Sequence, residues 1–452
     1  MFPRIRNVVS RAAAYGLAAV GGGIYTDYKY NSVETIASEF VSASLAFKHL
    51  QREKKKDGPE CTSGERDLDQ VVYQAAENLS TRATWTLLKY VVFAGHDSDE
   101  VYRLEWIIAQ LQSINAILVP QKGAQAFEFE RQCDLYYGSQ VSPEYLDEDR
   151  TTQLLQELDE LLPRSASPLH ERYRAYRNRF VIPKKQYQPV FRKLVDDMIH
   201  EMKQHVPELH SAHLTQKYVD DSSLCFEATC QATSRKESEM LVNIARSITY
   251  DKAQQLAVHE LTHHLQFVLM EHHLYPRFPE MRASIDAGPL DMLLEGGAEL
   301  VVDLLLPPAE RLKDLETRVP RGRFSTGALR DALKVERITW SGLWPCSIRI
   351  ARDFINGELS KQEAMKAMQE QALKSNDSWP NVAFFEEYGA YVQSYGWGKE
   401  LILEYLQVLQ SQKHPEGNSL EDKRKQILEE YIEFMKRPPT PSRMQDVINQ
   451  AR

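Results

Sequence analysis

The sequence is short of cysteine, of long apolar runs and of clustered positive charge. Its five cysteines, at 61, 133, 225, 230 and 346, are odd in number and include no CxxC pair. That usage excludes a zinc ribbon, a dithiol redox motif and a disulfide framework, and the thiols are expected to be reduced. The apolar stretch Ala12 to Tyr25 contains Gly21-Gly22-Gly23 and is short for a full membrane span. No basic run is interleaved with aromatics, and the formal net charge is −9, so nucleic acid is excluded as an expected partner. Strand-like alternation is scarce, and no internal repeat is visible.

What is present is the balance of a soluble globular protein: 452 residues, 42% hydrophobic and 26% charged, enough for a sizeable core. Up to Thr26 the chain carries Arg4, Arg6 and Arg11 and no acid, the signature of a mitochondrial presequence. The expected location is therefore the mitochondrion, with the apolar segment offering a weak inner-membrane anchor. A cytoplasmic protein is the alternative. Residues 1–30 read as this leader and 31–69 as a charged linker region, since QREKKKDGPECTSGERDLD lacks apolar periodicity. Residues 70–440 read as one large helical body.

Within that body, helical periodicity runs over 71–118, 151–162, 169–180, 188–205, 250–274, 292–306, 361–375 and 381–412. Thr249 or Asp251 is the expected cap of the helix at 250. Strand signals are confined to 224–229 and 240–246. The expected fold class is mainly α, an α+β arrangement with a small sheet beside the key helix.

That key helix contains His259-Glu260-Leu261-Thr262-His263-His264. Residues four apart share a helix face, so His259 and His263 can offer two imidazole nitrogens to one ion at about 2.0–2.1 Å. Glu260, about 100° round the helix, stands beside the open coordination position. There it can take a proton from a metal-activated water and pass it to a leaving amine. The third ligand is sought in the EGGAELVVD helix, where Glu295 and Glu299 lie one turn apart. Glu295 is assigned to one zinc ion and Glu299 to a position behind it, orienting a histidine ligand. Gly296 and Gly297 suggest a close backbone approach to the first helix. His264 is expected to cap or pack, and His272 and His273 to be solvated. With 13 histidines, an HExxH string arises by chance in roughly one such chain in twenty. The amphipathic helix, the upstream strand and the downstream ExxxE helix together sharpen the reading.

From about Cys133 to Leu406 the chain resembles the bacterial family of predicted zinc peptidases known as domain of unknown function 885. The resemblance is carried, in order, by LYYG at Leu135, ELLP at Glu160, ERYRAYRNRFVIP at Glu171, LAVHELTHHLQ at Leu256, LLEGGAEL at Leu293 and SYGWG at Ser394. It implies a mainly helical, gluzincin-like metallopeptidase body with a glutamate zinc ligand. The family's usual motif is similar to HExxPGHH, whereas this chain has a plain HExxH, the thermolysin-type spacing. The resemblance also implies a catalytic tyrosine at Tyr395, whose hydroxyl could stabilise an oxyanion; Tyr388, Tyr391 and Tyr395 read equally as a packed aromatic stripe.

The expected activity is hydrolysis of peptide bonds, with an oligopeptide as partner and the strand at 240–246 as an edge for it to lie on. Two other readings stay open. One is a non-catalytic, membrane-associated mitochondrial scaffold that keeps the fold, and the other is a zinc hydrolase of non-peptide amides or esters.

Overall fold

Apolar residues recurring at three- and four-residue steps drive most of this chain into helices. The computed structural model describes residues 32–57, 63–94, 98–118, 127–224, 226–374, 380–413 and 420–452. It is 74% helix and 6% strand. Three helices come first: α1 (Val33–Asp57), α2 (Ser63–Ala94) and α3 (Asp99–Leu118). They bury Ile36, Phe40, Phe47, Leu50, Leu79 and Leu111 in a hydrophobic cluster of their own, joined to the rest through Ala283 and Ile285. The linker expected at 31–69 is therefore largely helix. Val33, Ile36, Phe40, Phe47 and Leu50 form one buried stripe of α1, which the charged end of the segment obscured. The leader at 1–30, Cys61 and Cys225 lie outside the described residues; Cys133, Cys230 and Cys346 are free and buried. No helix among the described residues is long and apolar enough to cross a membrane.

The body opens with α4 (Phe129–Gln132), α5 (Glu148–Leu161), α6 (Leu169–Asn178) and α7 (Lys184–His205). A small sheet follows, made of β1 (His213–Val219), β2 (Ala228–Ser234) and β3 (Glu237–Asn243). Next come α8 (Tyr250–Leu269), α9 (Pro289–Leu305), α10 (Pro308–Arg318), α11 (Thr326–Arg337) and α12 (Trp344–Ile355). The chain closes with α13 (Lys361–Glu370), α14 (Val382–Tyr388), α15 (Gln393–Lys413), α16 (Leu420–Lys436) and α17 (Pro441–Ala451). The body passes its expected end at 440, because α17 buries Met444 and Ile448 completely. The single helix expected at 381–412 is broken: Gly389 takes a φ of 56°, in the left-handed region that suits glycine, and separates α14 from α15.

The sheet corrects the expected strands. Its order is β1-β3-β2, with β1 parallel and β2 antiparallel to β3. β3 is thus central and hydrogen-bonded on both sides, so the segment at 240–246 is no edge on which a peptide could lie. The edge beside α8 is β2, which begins at Ala228 rather than 224. β1 was missed because HLTQKYV is mostly polar and only half-buried.

α8 is buried on nearly every side, as a central helix must be. Thr249 holds its N-cap position, but its side chain makes no capping bond. Arg177 of α6 instead donates to the Thr249 hydroxyl and to the Asp251 carboxylate. The Ile182 N–H donates to the Ile248 carbonyl at 2.9 Å, and the Tyr250 N–H to the Phe180 carbonyl at 3.2 Å. The RFVIP segment therefore sets where α8 begins.

The glycines of α9 do not face α8. A Cβ on Gly296 would lie 2.6 Å from the Lys399 backbone nitrogen and closer still to Gly398, so α9 and α15 cross in backbone contact. A Cβ on Gly297 would strike the Tyr431 ring of α16. Gly296→Ala is expected to push α9 off α15 and to destabilise the protein by about 1–3 kcal/mol. Gly327→Ala, where the new atom meets nothing nearer than 3.8 Å, should be neutral or stabilising. Thermal denaturation of the two variants tests this, and equal transitions would refute the crossing as a constraint.

Candidate metal centre

Four residues make little more than one helical turn, which puts His259 and His263 on one face of α8, and α9 packs against that face in the opposite direction. The pairing shows the direction: His259 meets both Glu295 and Glu299, while His263 meets Glu295 alone. Nε2 of His259 and Nε2 of His263 are 3.3 Å apart. Oε2 of Glu295 lies 3.3 Å from the first and 3.5 Å from the second. Donor atoms at 2.0–2.1 Å from one tetrahedral zinc ion are separated by about 3.3–3.4 Å. The three side chains therefore already hold the spacing such an ion requires, and among the described residues they form a group that could hold a metal ion.

Each donor is oriented from behind. Nδ1 of His259 is 3.1 Å from Oε1 of Glu299, whose other oxygen accepts from Trp340 Nε1 at 2.9 Å. Nδ1 of His263 lies 2.9 Å from Gln266 Oε1, and Gln266 in turn donates to the Leu294 carbonyl and the Tyr431 hydroxyl. With hydrogen on both Nδ1 atoms, loss of the Nε2 protons would leave both lone pairs aimed at the common centre. The Tyr391 hydroxyl donates to Oε1 of Glu295 at 3.1 Å, freeing Oε2 for the same centre. Glu299 stands where the sequence placed it. Gln266 and Tyr391 were not assigned these roles, although Gln266, three residues after His263, had a readable signal in its i,i+3 spacing.

His264 points the other way. Its Nδ1 is 2.9 Å from Ser238 Oγ in β3, and burial, with Lys203 and His213, lowers its pKa to about 4. It packs against the sheet, as expected. His272 is exposed, while His273 pairs with Glu208 at 2.6 Å.

Tyr395 sits at the site and within the aromatic stripe at once. Its ring stacks on Trp344, with centroids 5.3 Å apart, runs nearly parallel to His259 at 6.4 Å, and meets Tyr391 edge-on. Burial and the neighbouring Glu295 carboxylate push its hydroxyl pKa well up, so it remains a proton-bearing donor.

The electrostatics follow from burying two acids against two imidazoles. Burial works against charge on His259, but hydrogen bonds with Glu295 and Glu299 outweigh it and push its pKa up to about 10. Burial likewise opposes charge on Glu295, yet His263 and His259 hold it well below the usual carboxylate range. Glu260 moves the other way: burial raises its pKa, only partly offset by His259 and His263. Unlike Glu295 and Glu299, Glu260 has no hydrogen-bond partner among the described residues.

The centre lies in a cleft of about 1370 Å³. Residues 226–232, along β2, form one wall, and Tyr136, Tyr391 and Tyr395 form part of another. α1 contributes Phe47 and Lys48 at the rim.

No family model matches the chain, and no curated protein sequence matches it.

A metal ligand must be a neutral imidazole, whereas His259 alone in its pocket keeps its proton up to about pH 10. His263 is raised in the same way, so zinc uptake near neutral pH should release at least one proton, and affinity should rise with pH. Calorimetry in two buffers of different ionisation enthalpy measures the release; none would contradict the assignment. Gln266→Ala should weaken binding by about 10–100-fold, and Glu295→Ala should abolish it.

Proposed function

We propose that this protein is a zinc-dependent hydrolase of peptide bonds with a gluzincin-like site. The observation that carries the reading is the set of three mutual distances among the donor atoms of His259, His263 and Glu295, 3.3, 3.3 and 3.5 Å. Two imidazoles and one carboxylate are a donor set that suits zinc and leaves a position open for chemistry. Bound there, the ion supplies Lewis acidity toward a carbonyl oxygen and toward water.

The chain's own residues do the rest. Glu260, buried beside the histidines and held by no hydrogen bond among the described residues, accepts a proton from the attacking water and returns it to the leaving nitrogen. Its raised pKa, caused mainly by burial, suits both halves of that exchange. The Tyr395 hydroxyl is the donor that would meet negative charge on the former carbonyl oxygen, while Tyr391 gives its one hydroxyl hydrogen to Glu295. Glu299, Gln266 and Trp340 keep the ligands in register. The edge strand β2 lines the cleft with consecutive residues, so an extended peptide can add to it by backbone hydrogen bonds. That edge favours a peptide over a compact ester or amide. The free carboxylate of Glu260 favours catalysis over a scaffold, in which a buried acid without a partner has no use.

Glu260→Gln should retain one zinc per chain and lose about 10²–10⁴-fold in turnover, read on a panel of fluorogenic peptides beside ester substrates. Tyr395→Phe should lower kcat by about 10²-fold with little change in KM. A zinc-loaded wild type that cleaves esters but no peptide would move the reading to a non-peptide hydrolase. Unchanged turnover in Glu260→Gln would remove the mechanism.

A further inference from the structure

Tyr391 stands between helices. It belongs to the short turn Gly389–Val392 that links α14 to α15, and a side chain 258 residues before Ala390 holds that turn. Gln132, the last residue of α4, is buried and lines the cleft. Its Oε1 accepts from the Ala390 N–H at 3.0 Å, and its Nε2 donates to the Phe127 carbonyl at 2.7 Å. One backbone partner can only donate and the other only accept, so the amide has a single orientation. α4 is itself anchored: the Phe129 N–H donates to Oδ1 of Asn356 at 2.7 Å, and the Phe129 ring is buried.

The turn is shaped around that amide. Ala390 is fully buried, so its N–H requires an acceptor, and Gln132 supplies it. Gly389 has a φ of 56° and a ψ of −128°, the dihedrals of the first central residue of a type II′ turn, a position for glycine. A Cβ there would collide with Oε1 of Gln132. The missing side chain thus permits the reversal and leaves room for the amide to reach the next N–H.

Two residues after Gly389, the Tyr391 ring packs among Phe384, Tyr388 and Tyr395, at centroid distances of 5.9, 6.1 and 5.9 Å. Apolar contact is non-directional, so these rings confine Tyr391 without fixing how far it reaches. The hydrogen bond on Ala390 is directional and does fix it. The Tyr391 hydroxyl donates to Oε1 of Glu295 at 3.1 Å, and Oε2 lies 3.3 and 3.5 Å from the two imidazole nitrogens. A donor on Oε1 keeps the carboxylate from turning about its own terminal bond.

We propose that Gln132 is a positioning residue for Glu295: it fixes the Gly389–Tyr391 turn and, through the Tyr391 hydroxyl, presents Oε2 to the ion. The proposal rests on the metal-site reading above, and it places a control on that site outside the two ligand helices.

A double-mutant cycle on zinc affinity, read by competition with a chromophoric chelator, tests it. Tyr391→Phe should weaken binding about tenfold. Gln132→Met, close in shape but without the acceptor, should weaken it by a similar factor. The two together should weaken it no more than Tyr391→Phe alone, because the amide then has nothing left to position. A residue that merely supports the fold would cost the same factor with and without the Tyr391 hydroxyl. Losses that multiply, or wild-type affinity in Gln132→Met, therefore overturn the proposal. Gly389→Ala breaks the same turn from its other side and takes the place of Gln132→Met in the cycle should that variant not fold. Zinc uptake by the wild type is scored apart. If there is none, the metal reading falls, and the clamp is judged by crystal structures of metal-free wild type and Gln132→Met. A Tyr391–Glu295 hydrogen bond present in the wild type and lost in the variant keeps the clamp. The bond present in both, or in neither, overturns it.

Discussion

The backbone crossing of α9 with α15 at Gly296 and Gly398 is the constraint on which the candidate centre depends. Glu295 immediately precedes the crossing residue, so the depth to which α9 sinks into α15 decides how far the Glu295 carboxylate stands from α8. A side chain on Gly296 would meet backbone, which cannot rotate away. On the next flank Gly297 admits Tyr431, whose hydroxyl accepts from Gln266. Gln266 in turn holds His263 and the Leu294 carbonyl. Two adjacent glycines therefore set the position of one ligand directly and the orientation of another through a two-bond relay.

Within that frame, charge is arranged so that each buried group needs its neighbours. Glu295 and Glu299 would be costly alone in a helix packed on both sides, and His259 would lose its proton to burial alone. Together they stabilise one another, which is why His259 rises while Glu295 falls. The same arrangement prepares them for a cation of higher charge, since whatever replaces the proton meets two lone pairs and a carboxylate already converging. Glu260 makes no hydrogen bond to either histidine among the described residues, so burial outweighs the pull of their charges and its pKa rises where that of Glu295 falls.

How much of this was legible in the sequence depended on whether a role is local. His259, His263 and Glu299 follow from helix periodicity, because spacings of four residues fix faces without knowledge of the tertiary fold. The mainly helical class and the small sheet followed from the same counting. The partners that come from distant segments were not legible: Trp340 behind Glu299, Tyr431 behind Gln266, and Gly398 against Gly296 lie between 41 and 165 residues from the groups they touch or, for the glycine pair, across two packed helices. Sheet order also escaped, since β1 is a polar strand whose pairing with β3 is parallel and crosses β2 in sequence. α1 shows the converse failure. Its buried stripe was readable, but charge composition over the following residues outweighed periodicity in the reading.

The layout of charge along the cleft carries the argument beyond the metal centre. On α9, Asp291 precedes Glu295 by one turn; burial and Asp286 raise its pKa to about 7. At the far end, Lys252 and Lys374 share Trp340. Each end is nevertheless of mixed charge: Lys48 stands 3.9 Å from Asp286 beside Asp291, and Lys252 lies 3.3 Å from Glu227. Antiparallel packing of α8 and α9 thus sets the three donor atoms between two flanks that carry both signs, so the charge on the donors is answered by one another rather than by either end of the cleft.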